Sequence, residues 1–301
     1  MGAYQISVPG HATSQEVLCM RELLTDQQDN LERSGLNFEI EEERQGDRTI
    51  FTCQNRKRGK YREYGLRQQI GQAVADYLIA VDEPAFIRYI IAKEFCYRDP
   101  QESSQIESYA LHLLGDTEDE VEDEHSYLPR KEKMARQVSH YLMHSRFLAV
   151  DGYFHFRMKR YKKVLIQLVE HAIDEYLLDQ EYQEFINLLR HFVASQPSKV
   201  PLIHVVHGGG KRRFHLLTGE GKPLALNEMD GVVEELMADT LSQEDMIVST
   251  LLTAAPEQVV LHSLNPEENV IRTLLQIFSG RITLCEGCSD CQWHFNIEED
   301  G

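Results

Sequence analysis

Gly65-Leu66-Arg67-Gln68-Gln69-Ile70-Gly71-Gln72-Ala73-Val74-Ala75-Asp76-Tyr77-Leu78-Ile79-Ala80-Val81 is the stretch in which the hydrophobic period of this chain changes. Before it, apolar residues alternate with polar ones in short runs. Within it, Leu66, Ile70, Val74, Tyr77, Leu78 and Val81 recur at intervals of one, three and four residues and share one helical face. A chain that passes from the two-residue to the 3.6-residue period, and back again near its end, is α+β. The expected architecture is a small N-terminal α/β segment, a central helical bundle and a C-terminal α/β segment with a mixed sheet. In residue numbers these are 1–82, 83–199 and 200–301.

Upstream of the switch, Tyr4-Gln5-Ile6-Ser7-Val8 alternates and is closed by Pro9-Gly10, a strand followed by a turn. Thr13 and Ser14 then offer N-caps, Glu16 lies in the first turn, and Val17, Leu18, Leu23 and Leu24 form a helical stripe that Gly35 would stop. Leu36-Asn37-Phe38-Glu39-Ile40 and Thr49-Ile50-Phe51-Thr52-Cys53 alternate on either side of Gly46-Asp47 and predict a β-hairpin.

Downstream, helical stripes cover Glu83 to Tyr97, Pro100 to Leu114, Pro129 to Leu148, Tyr161 to Leu178 and Gln180 to Val193. Asp82-Glu83-Pro84 and Asp99-Pro100 carry the start signal of proline at the first helical position. Asp151 to Arg157 reads as a tight turn leading into an extended aromatic run. After Gln196-Pro197-Ser198 strands return: Ile203 to His207 and Phe214 to Leu217 flank Gly208-Gly209-Gly210 as a hairpin. Helices Gly231 to Met237 and Asp245 to Leu252, strand Gln258 to His262, a helix from Asn265 to Phe278 and strand Arg281 to Cys285 complete the series.

The chain has 301 residues and 42% hydrophobic content, enough to fill a core. Its 49 acidic and 31 basic residues give a formal charge of -18, which repels polyanions and argues against general binding of nucleic acid or anionic membranes. No run approaches the roughly 18 apolar residues of a membrane span, and Met1 to Val17 lacks the basic and apolar regions of a signal peptide. Ile6 stands where a myristoylation signal after Gly2 would need Ser or Thr. A cytoplasmic protein is expected, with reduced thiols, because six cysteines in a chain of this length do not form a disulfide framework.

The densest chemistry lies in Cys285-Glu286-Gly287-Cys288-Ser289-Asp290-Cys291, three thiols at intervals of three residues directly after a predicted strand. Gly287 permits the sharp turn that brings successive sulfurs together, and His294 continues the spacing, so Cys285, Cys288, Cys291 and His294 could form a tetrahedral zinc site. Three other readings share these residues. An iron–sulfur cluster wants a fourth cysteine, and Cys19, Cys53 and Cys96 lie far off in sequence. A Cys285/Cys288 redox pair would need the helix N-terminus that lowers a thiol pKa, and Ser289-Asp290 does not signal one. The fourth reading is a turn with incidental thiols.

Other motifs carry less. His140 and His144 are four apart on a predicted helix and could seed a metal site, but the intervening Tyr141-Leu142-Met143 has no zincin glutamate, and two solvated histidines account for them. Gly208-Gly209-Gly210-Lys211 lacks the spacing of a phosphate loop and leads into a strand, which makes it a hairpin turn. The basic groups Arg56-Lys57-Arg58 with Lys60 and Arg62, and Arg157 to Lys163, include tyrosines and could offer a nucleic-acid surface. Solvated faces, or partners for the acidic run Glu118 to Glu124, explain them with fewer assumptions. No nucleophile elbow, zincin helix, dinucleotide fingerprint or paired-carboxylate motif is present, so no catalytic residues are assigned.

Several landmarks together resemble one family: Glu83-Pro84-Ala85-Phe86-Ile87-Arg88-Tyr89-Ile90-Ile91, Asp151 to Lys159, Asp174-Glu175-Tyr176-Leu177 with Tyr182-Gln183-Glu184-Phe185-Ile186, and the terminal Cys285-Glu286-Gly287-Cys288. The chain is similar to the YtxC family of sporulation-associated proteins of Bacillus-type bacteria, from about the first long helix to the end. The resemblance implies a cytoplasmic protein connected with endospore formation and implies no reaction. The resulting expectation is a non-enzymatic protein that works through an unidentified protein partner. The alternative is metal binding or thiol redox chemistry at the C-terminal cysteines, with zinc as the cofactor.

Overall fold

The computed structural model describes residues 3–10, 12–33, 38–55, 60–116, 129–208, 214–224, 243–263, 265–285 and 287–288. The chain is α+β and divides into two compact units, Met1–Leu178 and Asp179–Gly301.

The first unit contains β1 (Tyr4–Val8), α1 (Ser14–Arg33), β2 (Phe38–Gln45), β3 (Arg48–Asn55), α2 (Lys60–Tyr77), α3 (Glu83–Lys93), α4 (Pro100–Asp116), α5 (Arg130–His144), β4 (Phe147–Ala149) and α6 (Val150–Arg157). Its sheet has the order β2-β3-β1-β4, antiparallel except that β4 runs parallel to β1. The expected cap is present: the Thr13 N–H donates to Glu16 Oε2 (2.7 Å) and the Glu16 N–H donates to Thr13 Oγ1 (3.2 Å), a reciprocal capping box at the head of α1. Edge strand β2 is exposed from Glu41 to Gln45, so charges guard the open side of the sheet. The inner strands bury Ile6, Val8 and Phe51 against Met20, Leu24, Leu66, Ile70 and Val74. Helices α2 and α5 pack so closely that a Cβ on Gly71 would lie 2.5 Å from the Ala135 carbonyl oxygen.

Between α2 and α3 the chain does not stop but widens into a π-helical turn, Leu78–Asp82. Helix α3 then begins with Pro84 in its first turn, as the sequence predicts.

Three segments correct the sequence reading. The predicted helix Pro129 to Leu148 ends at His144, because Ser145 is extended and Phe147–Ala149 pairs with β1 as β4. The apolar Phe147 and Leu148 prolong the helical spacing and conceal that break. Asp151 to Arg157 is helical in α6 and not extended: Val150, Tyr153 and Phe154 are buried at i, i+3 and i+4. Tyr161 to Leu178 and Gln180 to Val193 form one helix, α7 (Lys159–Ser195). The polar junction Asp179-Gln180-Glu181 holds no glycine or proline to break it. Leu165, Val169 and Ile173 of α7 belong to the first unit's core, Ile186 and Val193 to the second's, and every residue from 177 to 185 is exposed.

The second unit adds β5 (Val200–His207), β6 (Phe214–Thr218), α8 (Gln243–Ala254), β7 (Pro256–Ser263), α9 (Asn269–Ile277) and β8 (Ile282–Leu284) to the end of α7. Its sheet, ordered β6-β5-β7-β8, is mixed: β5 and β6 form the expected antiparallel hairpin, while β5, β7 and β8 are parallel. Ile203, Val205, Val259 and Leu261 are wholly buried and share a core with Ile247, Leu251, Ile271 and Leu274 of α8 and α9. The predicted helix Gly231 to Met237 and the acidic run Glu118 to Glu124 lie outside the described residues. Among those described, no helix is long and apolar enough to cross a membrane.

Candidate metal centre

Because β5, β7 and β8 run the same way, their carboxyl ends share one edge of the second sheet, the edge at which open α/β sheets bind ligands. Side chains alternate along each strand, so His204 and His262 project from one face while His207 and Ser263 project from the other. Two polar clusters result.

On the first face, His262 is 4% exposed at the end of β7. The chain leaving β8 is kept beside it because the Cys285 N–H donates to the Leu261 carbonyl at 2.8 Å, which prolongs the ladder by one bond. Gly287 then turns with φ +112°, a value open to glycine and strained for other residues, and returns Cys288 towards the sheet. His262, Cys285 and Cys288 offer ligand atoms that all lie within 4.8 Å of one another. Cys288 Sγ is 3.7 Å from His262 Nδ1. A tetrahedral zinc ion with Zn–S near 2.3 Å and Zn–N near 2.05 Å would separate its sulfur and nitrogen ligands by about 3.6 Å. Two thiolates and an imidazole suit zinc in chemistry as well as spacing. The Gly287 N–H points at Cys285 Sγ from 3.4 Å, and His262 Nε2 is 3.0 Å from His204 Nδ1, so both kinds of ligand have outer hydrogen-bond partners.

On the second face, the Asn265 N–H donates to Ser263 Oγ (3.1 Å), and that hydroxyl is 2.9 Å from His207 Nδ1. His207 Nε2 faces Glu268 at 3.3 Å, and Phe214 stacks on the His207 ring. This network joins the ends of β5 and β7 to the head of α9.

Of the four residues that the sequence singled out, Cys285 and Cys288 come together, while Cys291 and His294 lie outside the described residues. His262 was missed because the cysteine spacing draws attention to the next histidine along the chain. Its signal is a histidine closing the apolar run Val259 to Leu261, on the strand beside the one that leads to the thiols. His140 and His144 do sit together on α5, with ring centroids 5.5 Å apart, and both are exposed. Cys19, Cys53 and Cys96 belong to the first unit, where burial pushes the Cys53 thiol up to about 12.

Comparison with known proteins places the chain in a family. The profile of the YtxC-like family matches residues 68–283, well over half of the chain. The chain belongs to that family. An uncharacterized protein YtxC of Bacillus subtilis strain 168 is 25% identical over 209 residues, covering 69% of this chain and 73% of that protein. No solved structure gives a significant match. The YtxC-like span contains His204, His262, β5, β7 and the first two residues of β8, and it ends two residues before Cys285.

Proposed function

We propose that this YtxC-like protein binds a zinc ion through Cys285, Cys288 and His262, and that the ion holds the chain beyond β8 against the carboxyl edge of the second sheet. The observation that carries this reading is the convergence of His262 with the two thiols at ligand spacing. Cys291 or His294, three and six residues further on, would supply the fourth ligand and close the site. A closed four-ligand site is structural and has no open position for a substrate. Metal analysis of the reduced, purified chain tests this. About one zinc per chain is expected, with loss in Cys285→Ser/Cys288→Ser and in His262→Ala. Absence of stoichiometric zinc and iron from the parent would remove the reading. Cys291→Ser and His294→Ala, compared side by side, identify the fourth ligand.

Family membership supports a second, cellular part of the proposal: the protein acts in the cytoplasm during spore formation, by contact with a protein partner and without catalysing a reaction. Deletion should lower spore yield or resistance, and unchanged yield and resistance under several sporulation conditions would refute it.

A further inference from the structure

The two histidines of the first cluster stand in unlike positions. His262 turns Nδ1 towards Cys288 Sγ at 3.7 Å and Nε2 towards His204 Nδ1 at 3.0 Å, with the two rings stacked at 5.3 Å between centroids. An imidazole that gives one nitrogen to a metal carries its proton on the other, and the hydrogen bond made there fixes both tautomer and ring orientation. His204 approaches from the neighbouring strand, held in register by the β5–β7 ladder, with a nitrogen placed to accept that proton.

We propose that His204 is a positioning residue for the metal centre. It accepts a hydrogen bond from His262 Nε2–H and thereby dedicates His262 Nδ1 to the ion, without itself being a ligand. This rests on the metal reading above. Coordination of His262 Nδ1 would set the direction of the 3.0 Å bond. With Nδ1 of His262 bound to the metal its proton resides on Nε2, and in the metal-free chain the proposal makes the Cys288 thiol the donor to Nδ1, which leaves the proton in the same place. In this arrangement His204 accepts at Nδ1 and holds its own proton on Nε2.

The test compares the parent full-length chain with His204→Ala and His204→Asn, whose amide oxygen stands near the place of the lost Nδ1. Zinc affinity is read by competition with a chromophoric chelator under reducing conditions. His204→Ala should bind zinc 10- to 100-fold more weakly, the usual effect of losing an outer partner, and His204→Asn should recover most of the loss. Unchanged affinity in His204→Ala, or equal weakening in both variants, overturns the proposal. Long-range nitrogen–proton NMR of the parent gives a second readout that needs no substitution. His262 should carry its proton on Nε2 in the metal-free chain and shift its Nδ1 resonance on addition of zinc. A proton on Nδ1, or a zinc-induced shift at Nε2, is the contrary result. A parent that binds no zinc defeats the metal reading, and the tautomer measured in the metal-free chain still decides the His204–His262 bond.

Discussion

Asp82 closes the π-helical turn after α2 with one carboxylate oxygen buried and without a hydrogen-bond partner. Burial, reinforced by the charges of Asp151 and Glu16, pushes its carboxyl up to about 7. The linkage follows from that direction. Between the unfolded value near 4 and about 7 the folded chain keeps a proton that the unfolded chain has released, so stability falls as pH rises through this window. Asp82→Asn should flatten the dependence and gain on the order of 2 to 4 kcal/mol above pH 7 relative to the parent. Urea unfolding between pH 4 and 8 measures it, and parallel curves for the two proteins would contradict it. Glu83, the next residue, is also raised by burial, but Tyr161 donates to it and Arg130 lies 3.6 Å away, so its charge is offset where that of Asp82 is not. Sequence could not separate these neighbours, because both read as acids at a helix start.

At the scale of elements, local chemistry was legible wherever it was self-contained. Thr13 and Glu16 form their capping box as spaced, and Asp99 caps α4 by accepting from the Gln101 and Glu102 N–H groups at 2.9 and 3.0 Å. Thr13→Ala should cost about 1 kcal/mol by removing one side of the box, read as a lower urea midpoint at unchanged slope. What sequence concealed depends on distant partners. Phe147 and Leu148 continue a helical spacing, and only pairing with Gln5 and Ile6 of β1 makes them a strand. The aromatic residues of α6 look extended until Tyr153 and Phe154 are seen buried with Val150 on one helical face. For the metal centre the same division holds: the Cys285/Cys288 spacing and the Gly287 turn are local, whereas His262 reaches them across the sheet.

At the scale of the whole chain, the proposed ion would serve one unit. The second unit holds His262, Cys285 and Cys288, while the first carries its own sheet and a separate core. Removing metal with a strong chelator should therefore raise hydrogen exchange in β7, β8 and the residues beyond them, leaving amides of β1, β3 and α2 protected as before. Equal loss of protection in both units would contradict a local role. The alternation at the strand ends gives this dependence a further meaning. Sliding β7 by one residue past β5 would turn His262 to the core side and bring Ser263 or Leu261 to the face of His204. On the proposed zinc reading the ion would then act as a parity check on strand assembly, because only a chain paired in the right phase would retain it.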